Sequence, residues 1–268
     1  MRLHPSTAAV VEITASEASG TLEQRFALFG GMAFLLTLAL LMPGMAQSEN
    51  YHAFADQRGW AGLPHAADVL SNLGFLAAGL AGFSLLWRAD YQRLNGTARA
   101  LCALFFAGLL CSSAGSALYH WAPQNATLVW DRLGMSVAFA GLLGLAVQTR
   151  VDDISARVTA VLMLLAAPIS VAVWAQTSNL LPWVLVQAGG MLIIFGLAFM
   201  APRRNALPVE LGWVIGLYAV AKLLEMSDSD VFDVTAHWVS GHSLKHWVAA
   251  AAALPVLRAL HLWRESIH

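Results

Sequence analysis

Apolar residues fall in eight long runs along this chain, separated by short polar connections. The runs cover about residues 26–45, 69–87, 100–119, 133–148, 158–173, 180–200, 211–226 and 237–260. Most approach the ~20 residues a helix needs to cross a bilayer; those at 133–148 and 158–173 need a few flanking residues to do so. The pattern predicts an all-α polytopic membrane helix bundle of eight spans. Residues 1–25 are polar and expected to be loosely ordered, 26–45 form an extra N-terminal transmembrane helix, and 46–268 form a seven-helix domain. The first run also admits a cleaved signal peptide, with small residues around Gly44 and Ala46. It is longer than the ~7–15-residue apolar core of such signals, so an uncleaved helix is the expectation.

Composition supports the same class. Of 268 residues, 58% are hydrophobic and 12% charged, about half the charged share of a soluble domain. The formal net charge of -1 offers no basic surface for nucleic acid and no polybasic lipid anchor. Cys102 and Cys111 lie on opposite faces of one predicted helix, so they cannot bridge. Of the loop cations, eleven fall on one side of the predicted membrane and two on the other. The positive-inside rule then places both termini in the cytoplasm, in agreement with an even number of spans. The membrane is the inner one in a bacterium, or one of the secretory pathway in a eukaryote.

Against this background the polar residues gather in one leaflet. Asp68, Ser71 and Asn72 open the second span, Ser116 and His120 close the third, and Asp131 opens the fourth. Glu225 lies near the end of the seventh, and His242 and His246 in the first half of the eighth. With alternating helix directions, all of them fall at the non-cytoplasmic face. Ionisable groups inside a bilayer are costly and usually mark a functional site. Histidines four apart share a helix face, so His242 and His246 can ligate one ion, with His120 as a third ligand. Three nitrogens and one open position suit catalytic zinc, which lowers the pKa of water toward ~7. Ser116, one turn before His120, is placed to donate a hydrogen bond to an oxyanion, and Asp131 to deprotonate or orient the attacking water.

Each residue also has a plainer role open to it. Ser116 suits helix packing. Asp131 with Arg132 suits an interfacial charge pair, and Ser71 with Asn72 an interhelical hydrogen-bonding patch. Glu225 suits neutralisation of Lys222 or Lys245. His237 sits at the membrane edge, and His52 and His65 lie in a loop.

The order Ser116-x-x-Tyr119-His120, Asp131 eleven residues on, and His242-x-x-x-His246 in the last span resembles the alkaline ceramidase family. That family belongs to a wider set of heptahelical intramembrane hydrolases that includes adiponectin-receptor-like proteins. The pair Ser71–Asn72 also matches the start of the family's first core helix, and the resemblance covers about residues 56–260. It implies His120, His242 and His246 as zinc ligands, Asp131 on the catalytic water and Ser116 on the tetrahedral intermediate. Tyr119, Ser71, Asn72 and Glu225 are candidates for supporting or substrate contacts. The implied reaction is hydrolysis of the amide of ceramide-type sphingolipids to a sphingoid base and a fatty acid.

Two features depart from the family. Its eukaryotic members bind calcium through an acidic segment before the first core helix. Here that stretch holds Asp56 as its only acid, with Arg58 among it, and a comparable calcium site is not expected. The added first helix makes eight spans instead of seven. Both point to a divergent bacterial member, for which the lipid substrate is ceramide or another N-acyl lipid. The alternatives are a transporter or proton relay using the same polar cluster, a heptahelical receptor, and a retinal protein with Lys245 as the Schiff-base lysine.

Overall fold

The structure is a computed structural model that describes residues 7–266, with side chains from residue 21 onward apart from Ala89. Among the described residues there are eleven α-helices, one 3₁₀ turn and no strand. They are α1 (Thr7–Leu41), α2 (Ala66–Ser71), α3 (Leu73–Leu86), α4 (Gly96–Trp121), α5 (Asn125–Arg150), α6 (Asp153–Thr177), α7 (Leu181–Ala198), α8 (Leu211–Met226), α9 (Asp228–Val234), α10 (Gly241–Ala251) and α11 (Leu254–Glu265). Among the described residues, six rods are long and apolar enough to cross a membrane: Thr21–Leu41, α2 with α3, α4, α5, α6 and α7. That is the signature of an integral membrane protein.

The two remaining predicted spans are present in altered form. The helix at 211–226 has 16 residues and falls short of that measure of a crossing. The last predicted span divides into α10 and α11 ahead of Pro255, a residue with no N–H to continue the ladder. The backbone of Ala252 and Ala253 stays right-handed helical, so the break is a kink within one rod. The polar N-terminal segment also differs from expectation. From Thr7 onward it is helical and continuous with the first apolar run, while residues 1–6 lie outside the described residues.

Helix starts follow local chemistry. The Asn95 side chain accepts from the amides of Thr97 and Ala98 at the head of α4, and Asp152 accepts from Ile154 and Ser155 at the head of α6. Both satisfy donors that a first helical turn leaves open. Gln124 and Thr127 form a reciprocal capping box on α5. The α4–α5 pair is the most extensive contact in the bundle, and α1 sits outside it against α7. Leu28 is the one buried apolar side chain among the described side chains of α1.

Glycine decides how close α4 and α5 come. A Cβ on Gly115 would lie 2.3 Å from the Trp130 carbonyl oxygen, so only glycine lets the backbones meet there. That contact sets the Ser116–His120 end of α4 beside Asp131. At the other side of the site, a Cβ on Gly241 would lie 2.3 Å from the Leu224 carbonyl oxygen, and its absence seats α10 against α8.

Candidate metal centre

Two helices bring three imidazoles together. His120 arrives on the last turn of α4, and His242 and His246 on successive turns of α10. Their ring centroids form a nearly equilateral triangle with sides of 4.8, 4.9 and 4.9 Å. Each offers a ring nitrogen within 4.8 Å of the others, and the Nε2 atoms of His120 and His242 approach to 3.2 Å. All three side chains are buried, at 1%, 6% and 3% exposure. It is the one group of three or more potential ligands of this kind among the described residues.

The donor set fits a metal ion. Three ring nitrogens gathered this closely in an apolar interior cost free energy unless a cation or shared protons lie between them. The Nδ1 of His246 is engaged by the Ser71 hydroxyl at 2.7 Å, which leaves its Nε2 free to face the centre. The Nδ1 of His120, by contrast, has no hydrogen-bond partner.

The start of α10 is held by polar groups that position His242. Ser240 caps the helix by accepting from the Ser243 amide, and Asp228 accepts from the His242 amide at 2.7 Å. The same carboxylate accepts from the Ala55 amide at 2.9 Å, so Asp228 joins α9, α10 and the loop between α1 and α2. A carboxylate at a helix N-terminus is also favoured by the helix dipole.

That loop closes the centre from one side. Phe54 is buried, with its ring centroid 4.8 Å from that of His120 and 4.5 Å from that of His242. Arg132 anchors the loop further along. Its guanidinium stacks 3.9 Å over Trp174 and donates to Gln47 at 2.8 Å. Asp56 engages Arg58 through both carboxylate oxygens, at 2.8 and 2.7 Å. That guanidinium holds the Asp56 carboxyl below its ordinary range despite burial.

The other sequence-predicted residues divide into two groups. Ser116 is buried one turn before His120 and is the polar neighbour of the Asp131 carboxylate, on which the charges of Lys245, Arg132 and Glu225 act. Asp131 stands outside the three-histidine group and is partly exposed. Glu225 pairs with both Lys222 and Lys245. Tyr119 lies against His120, with its hydroxyl 2.8 Å from the Nδ1 of His52. The Asn72 amide donates to the Asp68 carbonyl, and the Asn72 carbonyl accepts from Ser113.

Three residues at the centre carry no role in the sequence-derived site. Lys245 places its ammonium 3.0 Å from the Nε2 of His242. Asp68 is fully buried and accepts from Ser243 at 2.6 Å, with its second oxygen unpartnered. Phe54 is the third. An acid or a lysine in an apolar run is a visible signal for the first two; a loop phenylalanine carries none. The chain matches no family model and no curated protein.

Proposed function

We propose that this protein is a zinc-dependent intramembrane amidase, hydrolysing ceramide or a related N-acyl lipid to a long-chain amine and a fatty acid. The observation that carries this reading is the buried triangle of His120, His242 and His246, set beside Ser116 and Asp131 in a bundle of membrane-length helices. Three imidazoles with one position left open are the donor set of catalytic zinc. His120, His242 and His246 would hold the zinc, which would supply Lewis acidity and lower the pKa of water toward neutral.

The chain's own groups account for the remaining chemistry. Asp131 takes a proton from the attacking water and returns it to the leaving nitrogen as the C–N bond breaks. Ser116 donates a hydrogen bond to the carbonyl oxygen, whose negative charge grows as water oxygen adds to the carbonyl carbon. A long-chain amide at the membrane boundary suits a site near one end of the bundle. By the charge asymmetry of the loops that end is non-cytoplasmic, with both termini in the cytoplasm.

A proton relay is the second reading. The contacts from Lys222 to Glu225, to Lys245 and to His242 favour it, since they link four titratable groups in sequence. Metal content separates the two. About one zinc per chain in wild type, absent from His120→Ala and His242→Ala, supports the hydrolase and directs assays to N-acyl lipids. Carefully prepared wild type without stoichiometric metal overturns it and favours proton transport.

A further inference from the structure

The junction between α2 and α3 contains a hydrogen-bond arrangement that acts on the metal centre from behind. In a regular helix the Asp68 carbonyl would accept from the Asn72 amide, four residues on. Here the Asn72 amide turns instead to the carbonyl of Val69, three residues back, at 3.3 Å. The Asp68 carbonyl is thereby released from the ladder. Two side chains take it up: the Ser71 hydroxyl at 2.8 Å and the Asn72 amide at 2.8 Å.

This arrangement fixes a direction. A serine hydroxyl has one proton. Ser71 donates that proton to the Asp68 carbonyl, so toward His246, 2.7 Å away, its oxygen can only accept. The donor must then be His246, with its proton on Nδ1. Ser71, Asp68 and His246 are all buried, so no bulk water competes for these bonds.

We propose that Ser71, oriented by the carbonyl that the helix break releases, is a positioning residue that locks His246 in its Nδ1–H tautomer. The Nε2 lone pair is then preset toward His120 and His242 before any ion arrives. The proposal deepens the metal-centre reading and rests on it for its purpose, though the tautomer can be measured without metal. Anchoring of a ligating imidazole through its second nitrogen typically changes metal affinity by about 10–100-fold.

The test uses full-length, detergent-purified protein labelled with ¹⁵N at histidine. Imidazole nitrogen shifts are read in metal-free wild type, Ser71→Ala and Ser71→Thr, and zinc dissociation constants by competition with a chromogenic chelator. The expected result is one tautomer of His246 in wild type, protonated at Nδ1. Ser71→Ala is expected to show mixed tautomers and zinc binding weaker by about 10–100-fold. Ser71→Thr, which keeps the hydroxyl, restores both. An Nε2–H tautomer in wild type overturns the proposal even if Ser71→Ala fails to fold. So does a folded Ser71→Ala variant with wild-type tautomer and zinc affinity. Wild type with the expected tautomer but no affinity for zinc overturns the metal-centre reading and leaves the Ser71 lock standing.

Discussion

The ring of Phe54 lies against that of His242, 4.5 Å between centroids, and so a side chain from the α1–α2 loop forms one wall of the three-histidine centre. An aromatic ring there excludes water and supplies no ligand atom. Phe54→Ala should therefore leave zinc stoichiometry intact while a chelator strips the metal several-fold faster. Stopped-flow extraction with a chromogenic chelator measures this. Equal stripping rates would show that the loop does not control access.

Lys245 stands 3.0 Å from the Nε2 of His242, where its positive charge opposes that of a divalent ion. Lys245→Met should tighten zinc binding, read as a lower dissociation constant in chelator competition. A purely structural role, in which Lys245 ties α10 to Glu225 on α8, predicts the opposite sign.

A bound metal should also stabilise the fold by mass action, by about 2.7 kcal/mol when free metal exceeds its dissociation constant about 100-fold. Chelation is expected to lower the thermal midpoint of wild type and leave that of His120→Ala unchanged. Differential scanning fluorimetry in detergent reads both.

Gly115 touches the Trp130 carbonyl, with no room for a methyl group. Gly115→Ala must push α4 from α5, at a cost of about 1–3 kcal/mol typical of overpacking. Because Ser116 and Asp131 flank this contact, amide hydrolysis should fall further than zinc content does. Activity and metal content measured on one preparation separate the two effects.

Asp152 lies between α5 and α6, outside the spans. Burial raises its pKa, but the hydrogen bond from Arg25 and the amide and hydroxyl of Ser155 outweigh it, leaving a value of about 2 against an ordinary 3.8. A depressed carboxyl stabilises the fold fully above its unfolded value, and that contribution is lost as pH falls through about 2. Asp152→Ala should lower stability near neutral pH by about 1 kcal/mol through the lost helix cap alone. It should also flatten the decline in thermal midpoint between about pH 5 and about pH 2.

Much of this architecture was legible in the order of residues. Runs of about 20 apolar residues mark membrane helices because a bilayer offers backbone groups no other partner. The four-residue spacing of His242 and His246 placed both on one helix face, and alternating helix directions brought His120 to the same end. The limits of the last two rods were less visible. A stretch of 16 residues and a proline kink both read as apolar runs.

Tertiary structure decided the rest, because the remaining contacts join residues far apart in the chain. Hydropathy marks Arg132 as an interfacial charge, whereas packing lodges it against Trp174 from α6 and Gln47 from a distant loop. Ser71 and His246 lie 175 positions apart, and no local periodicity links them. The sequence by itself determined which side chains can ligate and which helix faces carry them. The contact of Ser71 with His246, the wall made by Phe54 and the intrusion of Lys245 arise only when the helices meet. Hydrogen bonds and ring contacts act over a few ångströms, and only packing brings such distant residues within that range.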